Sequence, residues 1–249
     1  MNPLPAKFPA KGIQALLPGC CTACGKWPAH GLCDACYTLF KQPKNRCCSC
    51  AIELPDTRLS VCGYCLKQPF AFNHTIAAVS YISPWKELVQ NLKFYKRTDY
   101  GHSVAQLMHL ALNTDQDLPL LPDLMLPIPV ANLRLQERGF NQSWQIARHL
   151  CLFTQIAATP HVLQHARQES LVQTSQTQRT RKERFRALKG AFFINEKYHA
   201  SLQGKNIVLI DDVMTTGATL HHAALALKKA GAKHVSAWVF ARTPEQRVH

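Results

Sequence analysis

Ten of the chain's eleven cysteines fall between Cys20 and Cys65, and eight of them form four Cys-x-x-Cys pairs: Cys21 with Cys24, Cys33 with Cys36, Cys47 with Cys50, and Cys62 with Cys65. A Cys-x-x-Cys turn presents two thiolates on one side of a tight knuckle. A second knuckle facing it completes the tetrahedron that zinc accepts without electronic preference. Four pairs therefore make two four-sulfur sites. The spacers of 8 and 11 residues within consecutive sets are short, but a hairpin spans them. Consecutive pairing is expected, with Cys21, Cys24, Cys33 and Cys36 on one Zn²⁺ and Cys47, Cys50, Cys62 and Cys65 on the other. Interleaved ligation and a disulfide-bonded head are the alternatives, and Cys20 and Cys48 lie beside ligands and are able to replace them. With all four positions filled by protein, such ions are structural, and a head of about 50 residues needs their binding energy because it buries little core.

A second constellation lies in IVLIDDVMTTGATL, residues 207–220. An apolar strand delivers Asp211 and Asp212 to its carboxyl end, and Thr215, Thr216, Gly217 and Thr219 then make a hydroxyl-rich turn opening a helix. Ligands of open α/β sheets bind at such ends. Helix-start N–H groups suit a phosphate, Gly217 admits close backbone approach, and the threonines add donors. Two adjacent carboxylates would repel a phosphate alone, but they are good acceptors for a pair of sugar hydroxyls. A ribose 5-phosphate fits both halves.

The elements that must position these groups follow from periodicity. Apolar, β-branched runs at residues 74–82, 123–129, 205–210 and 234–241 predict strands, and residues 84–95, 142–152 and 218–230 predict helices, Pro84 sitting near a helix start. Alternation of strand and helix predicts an α/β fold with an open parallel sheet. The cysteine skew predicts two domains, a double zinc-ribbon head over residues 1–70 and a body over 71–249.

The chain has 249 residues, 47% apolar and 18% charged, enough for a packed core and too little charge for a disordered polymer. Its formal net charge of +14 favours an anionic partner. Eight thiolates on two Zn²⁺ would contribute four negative charges in sum and lower that figure to +10. Residues 178–189, QRTRKERFRALK, carry six cations against Glu183. The apolar run near the N-terminus is too short for an export signal, and no apolar run reaches membrane-spanning length, so a cytoplasmic protein without membrane insertion is expected, where thiols stay reduced.

The acidic-threonine segment resembles the phosphoribosyl pyrophosphate signature of type I phosphoribosyltransferases. With the cysteine head, LKFYKRTDYG (residues 92–101), LPIPV (126–130) and ERGFNQ (137–142), nearly the whole chain is similar to the ComF/GntX family, which is associated with competence and with uptake or use of DNA. The resemblance implies a type I phosphoribosyltransferase-like parallel sheet flanked by helices. It implies that Asp211 and Asp212 hold ribose hydroxyls as catalytic carboxylates, and that Val213, Met214, Thr215, Thr216, Gly217, Ala218 and Thr219 wrap the 5-phosphate. Val130, Ala131 and Arg134 would meet pyrophosphate, with Lys93, Arg138 and Asn141 nearby and Mg²⁺ on the leaving group. For Lys93, Arg138 and Asn141 the competing role is surface charge or a helix cap, and for Asp211 a buried structural carboxylate. A flexible loop would bring Gln176, Arg179, Arg181 and Lys182 over the site. The chain departs from the family around that loop at Glu169, Leu171 and Ala187, which weakens the expectation of full transferase competence.

Two functions of different class follow. In the first, a DNA-uptake or DNA-utilisation protein uses its zinc head and basic surface on single-stranded DNA or on competence-machinery proteins, and keeps a pocket for phosphoribosyl pyrophosphate or a related nucleotide. In the second, the chain is an active phosphoribosyltransferase of nucleotide salvage or biosynthesis. No motif names an acceptor base.

Overall fold

The structure, a computed structural model, describes residues 19–29, 31–94, 98–114, 120–166 and 181–244. In chain order its elements are α1 (Asp34–Lys41), α2 (Gly63–Lys67), β1 (His74–Ser80), α3 (Trp85–Phe94), α4 (Thr98–Thr114), β2 (Leu124–Pro127), α5 (Asn132–Arg138), α6 (Gln142–Thr154), β3 (Leu163–His165), α7 (Arg181–Ala187), β4 (Phe192–Ile194), α8 (His199–Leu202), β5 (Asn206–Met214), α9 (Ala218–Lys229) and β6 (His234–Arg242). Four strands form a parallel sheet in the order β1-β6-β5-β2, and β3 and β4 make a separate antiparallel pair. The parallel sheet meets the expectation from the alternating pattern. The expected strand at 205–210 runs on to Met214, so both aspartates lie inside β5 rather than beyond it.

Because side chains alternate along a strand, each central strand feeds two cores. Ile207 and Leu209 of β5 and Val235, Ala237 and Val239 of β6 face the side covered by α9 and the β3-β4 pair. Val208, Ile210, Trp238 and Phe240 face the side covered by α3, α4 and α6. Phe240 is fully buried between Trp85 and the helices, a burial worth roughly 1.5–3 kcal/mol. The sequence reading leaves α4 unassigned. Val104, Leu107, Met108 and Leu112 repeat at helical spacing and are all buried.

The cysteine region is divided between those two cores. Cys21, Ala23, Ala29 and Cys36 pack with Trp85 and Leu88 on one face of the sheet. Cys47, Cys50, Ala51, Cys65 and Phe72 pack with Met214, Leu220 and Ala224 on the other.

Candidate functional site: a carboxylate pair and a phosphate-type turn

The site forms at the carboxyl edge of the sheet. β2 and β5 are in register through Leu126 with Leu209 and Pro127 with Ile210, and Ile128 N–H continues the ladder to the Ile210 carbonyl at 2.9 Å. The turn carrying half-buried Val130 and Ala131 therefore emerges beside Asp211. Ala131 is the N-cap of α5, whose last residue is the half-buried Arg138. Gly139 closes that helix at φ +78, a left-handed conformation that suits glycine. Arg134 lies in α5; its side chain is outside the described part.

Asn141 caps α6. Its Oδ1 accepts the Trp144 N–H at 3.2 Å while its Nδ2 donates to the Ile128 carbonyl at 3.0 Å. The helix-cap role is the one the structure gives this residue. The consequence is positional: α6 starts at the sheet edge, and Ser143 in its first turn donates from Oγ to Asp211 Oδ1 at 3.0 Å. Sequence reasoning missed Ser143. Its place directly after the ERGFNQ block was the available signal.

The two carboxylates are set differently. Asp212 is buried, accepts the Val213 N–H at 2.8 Å, and pairs through Oδ2 with Lys93 Nζ at 2.9 Å. Lys93 reaches it from the last turn of α3. Asp211 makes no ion pair of its own among the described residues. Burial first, and the neighbouring Asp212 charge second, push it up to about 7 against a hydrogen bond from Ser143. One carboxylate is thus ion-paired with Lys93, and the other is poised to exchange a proton near neutrality.

The turn after Met214 carries half-buried Thr216 and exposed Thr215 into Gly217, the N-cap of α9 at φ +81. Glycine is required there twice over. The backbone is left-handed, and a Cβ would lie 2.7 Å from Met214 Cε and 2.8 Å from Phe70 Cε1. Ala218 N–H points to Thr216 Oγ1 at 3.4 Å, and half-buried Thr219 follows in the first turn. Such a helix start presents N–H groups to an anion.

Of the expected loop, Gln176 and Arg179 lie outside the described residues. Arg181 and Lys182 begin α7, which docks on α9: the Phe185 ring lies 5.2 Å from that of His221, and the Phe185 carbonyl meets His222 Nε2 at 2.8 Å. The basic segment is thereby tethered to the helix that Gly217 opens. Ala187, where the family pattern differs, is the last residue of α7.

The cysteines group in the consecutive order, Cys21, Cys24, Cys33 and Cys36 in one set and Cys47, Cys50, Cys62 and Cys65 in the other, with all Sγ atoms of a set within 4.8 Å of one another. The facing thiols Cys24 and Cys33, and likewise Cys50 and Cys62, stand 3.7 Å apart. That matches the edge of about 3.8 Å expected for a tetrahedron of sulfurs around Zn²⁺ and is far from a disulfide bond. Cys33 N–H points to Cys21 Sγ and Cys62 N–H to Cys47 Sγ, each at 3.3 Å, the donors a metal-bound thiolate uses. Without a cation the thiols cannot ionise together: contact with Cys47 pushes Cys50 up to about 12. Both sets fit a divalent metal.

A residue that sequence reading passed over joins this region to the turn. Arg242, 4% exposed at the end of β6, donates from Nε to the Cys50 carbonyl at 2.8 Å and from Nη1 to the Thr215 carbonyl at 2.7 Å. A cation ending an apolar strand was its only mark in the sequence.

A family model for the phosphoribosyl transferase domain matches residues 136–249, which takes in β5, the turn and α9. The DNA utilization protein YhgH of Salmonella typhi is 31% identical over 234 residues, spanning 91% of this chain and 98% of that one. Competence protein F of Haemophilus influenzae is 29% identical, over 86% of this chain and 91% of its own. Competence protein ComFC of Bacillus subtilis is 26% identical, over 87% and 86%. Relatedness at that identity runs from the cysteine head through the carboxylate turn, and on it the chain belongs to the ComF family.

Proposed function

We propose that the chain serves DNA uptake or utilisation in the cytoplasm, binds phosphoribosyl pyrophosphate or a related nucleotide at the carboxyl edge of its sheet, and meets single-stranded DNA or competence proteins through its cysteine head and basic α7 segment. The observation that carries the ligand half is the order Asp211, Asp212, turn, Gly217 along one strand-to-helix junction, with Lys93 and Ser143 converging on the two carboxylates from other helices. Paired acceptors suit the 2- and 3-hydroxyls of a ribose, and the helix start suits its 5-phosphate. The names of the relatives support the DNA half.

Two structural Zn²⁺ in the cysteine sets would cross-link the head, as the thiol spacing supports. Mg²⁺ fits the hard oxygens of Asp211, Asp212 and the threonines, and when bound it neutralises pyrophosphate charge. The chain's own groups would bind and orient. Lys93 pairs with Asp212, Ser143 holds Asp211, Asn141 fixes the turn beyond β2, and Gly217 opens the phosphate cradle. Phe185 tethers the basic segment to α9, the helix that the turn opens.

Titration calorimetry tests both halves. Phosphoribosyl pyrophosphate with Mg²⁺ is expected to bind the wild type and to lose that binding in the Asp211→Asn/Asp212→Asn double variant; no heat with the wild type ends the ligand half. A short single-stranded oligonucleotide is expected to bind with strong salt dependence, weakened by Arg181→Glu/Lys182→Glu. Absent or salt-insensitive binding ends the DNA half. Pyrophosphate release with any base or amine in a broad panel would add catalysis to the binding role.

A further inference from the structure

Arg242 is the point where the second cysteine set and the phosphate-type turn share one side chain. It is paired in register with Ser80 of β1 and Met214 of β5, so it stands mid-edge on the sheet. On one side of its planar guanidinium, Nε holds the carbonyl of Cys50, a residue of the metal knuckle. On the other, Nη1 lies 2.7 Å from the Thr215 carbonyl and 3.3 Å from that of Met214, and Thr243 Oγ1 and N–H also reach the Met214 carbonyl at 3.3 and 3.1 Å. These carbonyls sit immediately before the N–H groups that would face a phosphate.

The knuckle end of this link is itself held under constraint. Ala51, next after Cys50, has φ +55, a left-handed conformation that an L-residue keeps only when its surroundings impose it. Arg46 Nη1 donates to the Ala51 carbonyl at 2.9 Å, so two arginines clasp successive carbonyls of one knuckle. Arg46 is held there in turn by Glu53, whose Oε1 lies 3.6 Å from its Nη2. On β1, Thr75 N–H and Oγ1 bind the Cys48 and Ser49 carbonyls at 2.8 and 2.7 Å. No comparable link to the turn is found for the first set among the described residues.

We infer that Arg242 is a positioning residue through which metal at Cys47, Cys50, Cys62 and Cys65 sets the conformation of the turn 214–219. The inference deepens the proposed function, since it makes the ligand site depend on one metal and not on the other. The planar fork matters because one rigid group fixes both carbonyls; a lysine ammonium keeps the charge and loses that geometry. If metal leaves, the knuckle relaxes, the Cys50 carbonyl moves, and the guanidinium no longer fixes Thr215. Linkage requires the reverse effect as well.

The test uses the full metal-loaded chain and two readouts, both without phosphoribosyl ligand. Amide hydrogen exchange in the turn is read at the amides bonded to its carbonyls, Thr243 N–H on Met214 and His221 N–H on Gly217, and is compared among wild type, Cys62→Ser, Cys33→Ser and Arg242→Met, with β6 residues 235–240 as the fold control. Exchange in the turn is expected to rise at least about tenfold in Cys62→Ser and Arg242→Met and to stay unchanged in Cys33→Ser. In the opposite direction, chelator-driven zinc release from Arg242→Met is expected to accelerate about tenfold for one ion and not for the other. A purely static core role for Arg242 would not make release selective. Unchanged exchange in Cys62→Ser, or unchanged release of both ions, overturns the inference. Should Cys62→Ser lose protection throughout β6, Arg242→Lys, which keeps all eight cysteines, decides, and wild-type exchange in its turn overturns the link. A second set that holds no metal in the wild type overturns it too. Failure of phosphoribosyl pyrophosphate to bind the wild type ends the ligand proposal and leaves both readouts as they stand.

Discussion

The two cysteine sets share a motif and differ in their neighbours. The first has an exposed Cys24, closes a hairpin bridged between Gly19 and Ala29, and packs on the α3 face through Trp85 and Leu88. The second has Cys47, Cys50 and Cys65 buried, is bridged between Arg46 and Glu53, and is bound by hydrogen bonds to β1 and β6. Identical ligand chemistry thus serves two ends. One set staples a surface hairpin, and the other is part of the edge on which the carboxylate site is built. What distinguishes them is the polar contacts of the knuckle backbone rather than the sulfurs.

Loss of metal gives the largest expected contrast. Cys62→Ser should lower the thermal midpoint by about 10 °C or more and Cys33→Ser by about half as much, since each kcal/mol moves a chain of this size by roughly 2–4 °C. Equal shifts in scanning calorimetry would erase the distinction.

Glycine substitutions sharpen it next. Gly217→Ala meets both a left-handed φ and a Cβ collision and should cost about 2–3 kcal/mol in denaturant unfolding. Gly25→Ala in the first set has φ +76 with nothing within 4 Å, so only the backbone cost of about 1 kcal/mol is expected. Comparable losses would mean the turn is no more constrained than the hairpin.

Smaller is Lys93→Met, which leaves the buried Asp212 carboxylate without its ammonium; a loss of about 1–2 kcal/mol is expected, discounted because the lysine is partly solvated. In the Asp212→Asn background the same change should cost little, and a full penalty there would exclude the ion pair as its cause.

Last comes the pH dependence. Asp211 titrates in the folded chain at about 7, above its unfolded value of 3.8, so the folded state holds the extra proton between those limits. Its contribution to stability is complete below the unfolded value and is lost as pH rises through about 7. Wild-type stability should therefore fall between pH 5 and 8 by on the order of 1 kcal/mol more than that of Asp211→Asn. Parallel profiles for the two proteins would place the proton elsewhere.

Much of this site was legible in the chain because it depends on local order. Four Cys-x-x-Cys pairs, two adjacent aspartates following an apolar run and a glycine at a helix start are contiguous patterns, and the parallel sheet follows from the alternation of apolar runs. The functional reading of Lys93 came from resemblance alone, since a lysine on an amphipathic helix is ordinarily a solvated charge, and only the packing of α3 brings it to Asp212. Asn141 shows the opposite case: its cap was foreseeable from its place before a helix, but not that the cap would also fasten the turn after β2.

By itself the sequence determined the ligand chemistry, thiols in two sets of four and a hydroxyl-rich turn behind paired carboxylates, because residue type and short spacing fix what a local segment can bind. The tertiary structure decided which groups meet. It put the two cysteine sets on opposite faces of one sheet, gave Asp211 and Asp212 different electrostatic settings, and ran Arg242 from a cysteine knuckle to the turn that opens α9. Those relations depend on distances between segments far apart in the chain, which β pairing and helix packing set and local spacing does not.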